Sequence, residues 1–367
     1  MRNLKPAVEA NSLSPEAKHS MRTRIITALI MCAVGVPCVL LGGWYFFILM
    51  IFVTICCGHE IINTNQPSGK LRFLVFTMTY ILLFLFVFWI FIKNNMNAAK
   101  TEIDDGTFNV WEFIKTLPSN YFTEIRLSTI LVLVSAVFYF CISFADKIYD
   151  LKTVFYYFSM IVIVGICLQS IFYLRFAPFE AYSSSIKQTL SSGLLPKYSL
   201  PQGEVNLTET NEFKYFYSSF LFIYVIIGAT FNDMGAYFVG VFFGKHKINP
   251  RVSPHKTIEG FVGGVIISTI FSMGFGLLVA SLGHPIIPNL DLDHWYWLLL
   301  ISVVMPLVSF VGDFVFSIVK RDYGIKDFSQ LLPGHGGMLD RIDSLLFTGG
   351  AVAALLTLIS NGWNLLA

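Results

Sequence analysis

Four polar residues recur inside an apolar run at intervals that matter. Ser309, Asp313, Ser317 and Lys320 are spaced 4, 4 and 3 apart, which stacks them on one face of a helix. Burying an unpaired carboxylate at membrane depth is costly, so Asp313 marks a functional site by default. The plain structural alternative is an Asp313 to Lys320 ion pair bracing a bundle. The following segment, SIVKRDYGIKDFSQLLPGHGGMLDRID, runs from Ser317 to Asp343 and crowds Lys320, Arg321, Lys326 and Arg341 among carboxylates and His335. Its Pro333-Gly334-His335-Gly336-Gly337 stretch cannot continue a helix and offers closely spaced amides able to cradle an anion. Asp340 and Asp343, three apart, would share a face at the start of the next helix and complement its positive end, or serve only as solvated caps. Hard oxygen ligands beside phosphate-binding Lys and Arg point to Mg²⁺ rather than zinc.

A second cluster runs from Asn232-Asp233 through Gly244-Lys245-His246-Lys247 to Arg251 and on to Gly260. Ser253, Lys256, Thr257 and Glu259 stand at a helix start, followed by Gly260, Gly263 and Gly264, a set that could surround a polyphosphate. The competing reading is a basic anchor that merely touches lipid headgroups. It is not a P-loop, because Gly240 to Gly244-Lys245-His246 has the wrong spacing and lacks the Ser/Thr.

The elements that must hold these residues are membrane helices. Of 367 residues, 55% are hydrophobic and only 13% charged, too little polar surface for a water-facing globule. Stretches long and apolar enough to span a bilayer occur near 25–42, 44–62, 71–92, 127–145, 153–174, 217–243, 258–282, 295–319 and 344–360. The expected fold is therefore an all-α integral membrane protein of about nine transmembrane helices. Most Lys and Arg fall in the segments that would share one side with the N-terminus, so the N-terminus is expected in the cytosol and the C-terminus outside. Two long outer loops, near 93–126 and 175–216, read as solvated connections. The organisation expected is a cytosolic segment 1–24, a transmembrane scaffold 25–215 and a catalytic region 216–367, since the ionisable residues at membrane depth concentrate after residue 230.

A net charge of +2 without a long basic tract excludes a nucleic-acid partner. The six cysteines all fall in apolar stretches with no spaced ligand set and read as small buried hydrophobes, implying neither disulfides nor zinc.

Ser317-x-x-Lys320-Arg321, Lys326-Asp327, His335-Gly336-Gly337 and Asp340-Arg341-x-Asp343 closely resemble the signature of CDP-diacylglycerol synthases, also called phosphatidate cytidylyltransferases. Asn232-Asp233, Ala236-Tyr237, Gly244-Lys245 and Ser253-Pro254-x-Lys256-Thr257-x-Glu259-Gly260 look like the same family's second block. The resemblance covers about 215–350 well and the earlier spans only in hydropathy. It implies an enzyme, expected as a homodimer in the bilayer, that joins CTP and phosphatidate with Mg²⁺, releasing pyrophosphate. Gly312-Asp313 looks like the bacterial form, which places the enzyme in an inner membrane with its site facing the cytoplasm. The resemblance further implies Asp313 and Asp340 as ligands of a cation pair with Asp343 assisting. Lys320, Arg321 and Lys326 would hold phosphates. Asp233, Ser253, Lys256, Thr257 and Glu259 would line the nucleotide site, and His335 would donate to a phosphate or support an Asp.

Two rivals stand beside that expectation. An ion-coupled transporter would use Asp233 and Asp313 as midplane coupling sites. A CTP-dependent lipid-alcohol kinase would use similar groups but transfer the γ-phosphoryl. A CDP-alcohol phosphotransferase is disfavoured, because Asp105-Gly106 is not followed by the Ala-Arg and paired Asp that such enzymes carry.

Overall fold

In lipid every backbone amide must be satisfied within its own segment, so apolar runs of this length fold as helices. The structure is a computed structural model that describes residues 15–66, 69–102, 125–192, 210–282 and 292–360, together with Ile286 and Leu290. Among these residues the helices are α1 (Pro15–Leu41), α2 (Gly43–Thr64), α3 (Arg72–Glu102), α4 (Ile125–Ala145), α5 (Leu151–Ser192), α6 (Thr210–Phe243), α7 (Ile258–Ser281), α8 (Trp295–Asp322) and α9 (Leu339–Ser360). Eight of them are long and apolar enough to cross a membrane. The stretch expected near 127–145 is the 21-residue helix α4, apolar over Thr129–Ala145.

The all-α expectation needs one addition, an antiparallel hairpin of β1 (Lys247–Asn249) and β2 (Ser253–Thr257) between α6 and α7. Strands of three and five residues carry no readable alternation. This pair is held instead by its turn, where Asn249 Oδ1 accepts the Arg251 amide at 3.1 Å. The outer loops are also more helical than expected. α3 continues to Glu102, α5 to Ser192, and α6 begins at Thr210, while 103–124 and 193–209 lie outside the described residues. At 42 residues α5 is about 63 Å long, roughly twice the hydrocarbon thickness of a bilayer. Its start is capped by Asp150, which accepts the Thr153 amide at 2.9 Å, and that bond holds the Asp150 carboxyl below the usual range. Boundaries drawn at 24 and 215 both fall inside helices, α1 and α6.

Long-range contacts show the chain running back and forth between two ends of one bundle. At one end Thr27 Oγ1 donates to the Pro333 carbonyl, Asn65 Nδ2 to the Tyr323 hydroxyl, and Lys152 pairs with Asp322 at 2.9 Å. At the other, buried Arg175 of α5 donates from Nε to the Val39 carbonyl at 2.7 Å and from a terminal nitrogen to the Leu40 carbonyl, satisfying the last turn of α1 where the chain reverses into α2. Between the ends, rings of α2, α3, α5 and α6 interlock: Phe46 lies 5.5 Å from Phe222, and Phe88 lies 5.6 Å from Phe172. Cys56, Cys57 and Cys167 are buried, but Cys32 and Cys141 lie exposed, so the expectation of six buried cysteines holds for half of them.

The glycines of α7 also have a different role from the one expected. A Cβ on Gly263 would stand 2.5 Å from Val239 Cβ, and one on Gly264 would stand 2.8 Å from the Asn232 carbonyl oxygen. They form the seam along which α6 and α7 approach closely.

Candidate active site

The polar face of α8 points inward, and each of its members finds a partner on another element or on the same stripe. Asn232 Nδ2 of α6 donates to Ser309 Oγ at 3.3 Å, and Ser317 Oγ donates to Asp313 Oδ1 at 3.4 Å. Asp313 and Lys320 do not pair with each other. Lys256, at the end of β2, places Nζ 2.5 Å from Asp313 Oδ2, whereas Lys320 Nζ donates to Asp340 Oδ1 at 2.7 Å. Lys256 Nζ also sits 5.1 Å and 5.4 Å from the ring centroids of Phe310 and Phe314. Its approach to Asp313 is an ion pair without hydrogen-bond alignment, so the ammonium has donors to spare for an anion.

Three carboxylates from three helices meet beside it. Asp233 of α6, Asp313 of α8 and Asp343 of α9 are near enough to feel one another's charge, and Lys256 and Arg341 both act on Asp233. Ser344 ties two of them, donating from Oγ to Asp233 Oδ2 at 3.3 Å and from its amide to Asp343 Oδ1 at 2.8 Å. Among the described residues no three His, Cys, Asp or Glu side chains close on a common point tightly enough to hold a metal ion unaided. The donor set is nonetheless all hard oxygen, three carboxylates with the Ser317 and Ser344 hydroxyls, and that chemistry suits Mg²⁺.

Asp340 stands apart from this trio. Its Oδ1 takes Lys320, and its Oδ2 takes the amides of Phe328 at 2.8 Å and Gly337 at 3.0 Å, with 8% of the residue exposed. Expected as a metal ligand, Asp340 accepts three protein donors and fastens the loop between α8 and α9. Lys320, 8% exposed and expected to hold a phosphate, takes part in the same fastening.

The loop itself turns its amides inward. His335 and Gly336 amides both donate to the Leu332 carbonyl, and Gly337 donates to Asp340, so the expected backbone cradle is already spent. Side chains line the open space instead. A cavity of about 690 Å³ is bordered by Arg24, Lys326, Asp327, His335 and Arg341, and His335 Nδ1 is buried without a hydrogen-bond partner.

The remaining expected residues serve the hairpin. Thr257 Oγ1 caps α7 by accepting the Gly260 amide at 3.1 Å, and Glu259 accepts the Lys245 amide at 3.0 Å and pairs with His246 Nδ1 at 2.6 Å. Arg321 donates to the carbonyls of Val252 and Ile325, joining the hairpin to the end of α8. Ser253 lies near the turn, opposite Asn249. Polar atoms expected to face a nucleotide thus have protein partners in Thr257 and Glu259, Arg321 spends part of its guanidinium on the hairpin, and Lys256 remains directed at the carboxylates.

Two residues of the expected scaffold reach the site. Glu60, on α2, has no exposed surface and accepts from Ser329 Oγ, the Met338 amide and the Leu339 amide at 2.7, 2.6 and 2.7 Å. Its signal was present, for it is an ionisable residue in an apolar span, the same criterion that singled out Asp313. Arg24, near the start of the apolar span of α1, had only the look of a topology-setting charge.

Residues 22–359 match the cytidylyltransferase family. Among curated proteins the chain is 45% identical over 136 residues to the phosphatidate cytidylyltransferase of Bacillus subtilis, covering 37% of this chain and 46% of that one. It is 40% identical over 142 residues to the protein of that name from Staphylococcus epidermidis, covering 37% and 50%. Over 130 residues it is 40% identical to the one from Haemophilus influenzae, covering 35% and 43%. The chain spans about half the length of the curated relatives it matches.

Proposed function

The chain belongs to the cytidylyltransferase family, and from that membership we propose that it is an integral membrane phosphatidate cytidylyltransferase, converting CTP and phosphatidate to CDP-diacylglycerol and pyrophosphate. The observation that carries this reading is the meeting of Asp233, Asp313 and Asp343 beside Lys256, next to a cavity bordered by Lys326, His335 and Arg341.

The lipid phosphate brings its own attacking oxygen, so no Ser or Cys nucleophile is needed. That oxygen forms a bond to the α-phosphorus of CTP as the bond from this phosphorus to the β-bridging oxygen breaks, and pyrophosphate leaves with the bridging oxygen. The protein has to align two polyanions and offset their repulsion. Asp233, Asp313 and Asp343 would hold Mg²⁺, which when bound supplies charge neutralisation and orientation of the phosphates. Lys256 contributes a cation from the hairpin side, and Lys326, His335 and Arg341 contribute donors from the loop side. Lys320, Asp340 and Glu60 hold the loop in place.

The finer features of the reading are nine crossings, an N-terminus and active site on the cytoplasmic face of a bacterial inner membrane, a second bound cation and a homodimer. The alternation of helix ends supports the crossings, and light scattering of the detergent complex tests the dimer.

Radiolabelled CTP tests the reaction. Label at the α-phosphate is expected in the lipid product of the purified full chain. Transfer of γ-label to lipid would replace the reading with a kinase, and ion flux without CTP consumption would replace it with a transporter.

A further inference from the structure

The first helix lies against the site and is almost unpacked. None of the span Met21–Leu41 is buried within the bundle, whereas 28% to 61% of the other seven candidate spans is. Its start is nevertheless fixed: Thr27 Oγ1 bonds the Pro333 carbonyl at 3.0 Å, and Arg24 lies over the turn that follows. That placement depends on Gly334, whose φ is +76° and on which a Cβ would stand 2.8 Å from Arg24 Cγ. Arg24, Lys326 and Arg341 border one cavity with a single carboxylate, Asp327, and none of the three cations has an ion pair among the described residues. The cavity also receives His335, whose Nδ1 lacks a partner. Such a surplus of donors suits a doubly charged phosphate.

We propose that Arg24 contacts substrate, closing with Lys326, His335 and Arg341 a pocket for the phosphomonoester head of the lipid, whose acyl chains lie along α1. This rests on the phosphatidate reading above. The exposed apolar residues beside Arg24, namely Ile25, Ile26 and Leu29 at 52%, 48% and 63% exposure, offer a hydrocarbon-facing path that leads to the pocket. A nucleotide has no apolar part to use that path.

The test compares Arg24→Gln, Arg24→Lys and Thr27→Val in the full-length protein in mixed micelles, with calorimetric binding of dioctanoyl phosphatidate in the absence of CTP. Arg24→Gln is expected to raise the KM for phosphatidate and weaken dioctanoyl phosphatidate binding by about ten- to a hundredfold, the size of one charge-assisted contact. Its KM for CTP should stay within about twofold, and Arg24→Lys should recover part of the loss. A rise in the KM for CTP instead would give the pocket to the nucleotide and overturn the proposal. Inorganic phosphate binding as tightly as dioctanoyl phosphatidate would overturn the lipid assignment. An equal loss in Thr27→Val, which frees the helix start but keeps the charge, would reduce Arg24 to an anchor. The binding arm reads Arg24 even if wild-type protein transfers no α-label, an outcome that would sink the reaction reading alone.

Discussion

Glu60 Oε2 accepts the backbone amide of Leu339 at 2.7 Å, joining α2 to the first turn of α9 across 279 positions of the chain. The first amides of any helix lack partners within it, and a carboxylate there also complements the positive end of the dipole. Here the capping group comes from another helix, and Gly337 leaves it space, since a Cβ there would stand 2.7 Å from Glu60 Oε1. The shape of the loop between α8 and α9 thus depends on α2.

Glu60→Ala strands the buried Leu339 amide, at about 1–3 kcal/mol, and the half-buried Met338 amide beside it. The thermal midpoint and CDP-lipid synthesis should both fall, and trypsin should cut at Lys326 faster. Glu60→Gln, which keeps one accepting oxygen, should lie between. Unchanged cleavage and turnover in Glu60→Ala would remove its role in holding the loop.

Asp313 and Asp340 should respond differently to neutralisation. Asp313→Asn is expected to leave stability nearly intact and to cut turnover by about a thousandfold, if roughly 4 kcal/mol of transition-state stabilisation is lost. Asp340→Asn leaves Lys320 buried without its counter-ion, a defect worth about 3–5 kcal/mol, so the midpoint should fall as well. Adding Lys320→Met to Asp340→Asn should recover part of the midpoint. A stable Asp340→Asn protein that has lost only its Mg²⁺ dependence would return Asp340 to the metal ligands.

Lys256→Ala tests the hairpin side of the site. Loss of one charge-assisted contact to CTP should raise its KM by about ten- to a hundredfold if the contact is equal in ground and transition states, or lower kcat if it forms mainly in the latter. Kinetics normalised to folded protein would exclude Lys256 from the site if both constants stayed at wild-type values.

Gly312→Ala probes the spacing of α8 and α9. Its Cβ would stand 2.7 Å from Phe347 Cβ, too close without moving one helix. Overpacking of this kind costs about 1–3 kcal/mol, and the shift should separate Asp313 from Asp343. Turnover is expected to fall more than the midpoint, and wild-type kinetics would show that the carboxylates tolerate the displacement.

Cysteines introduced at Ser184 and Ser329, after replacement of exposed Cys32 and Cys141, should react with an impermeant reagent from opposite sides of sealed vesicles. Labelling from one side would overturn the proposed crossings.

The polar stripe Ser309, Asp313, Ser317 and Lys320 was legible in the sequence because helical periodicity is local, and apolar length forces a helix once lipid is the solvent. Eight spans and the concentration of charge near α8 and α9 followed for the same reason. The partners of those charges were not legible. Asp313 meets Lys256 rather than Lys320, Glu60 meets Leu339, and Arg24 meets Gly334, because each contact depends on which helices pack together. Lys256 and the hydroxyls before Gly260, Gly263 and Gly264 also suggested a polyphosphate site. That these glycines form a helix seam was decided only by tertiary packing, since a missing Cβ shows its use only through the neighbour's position.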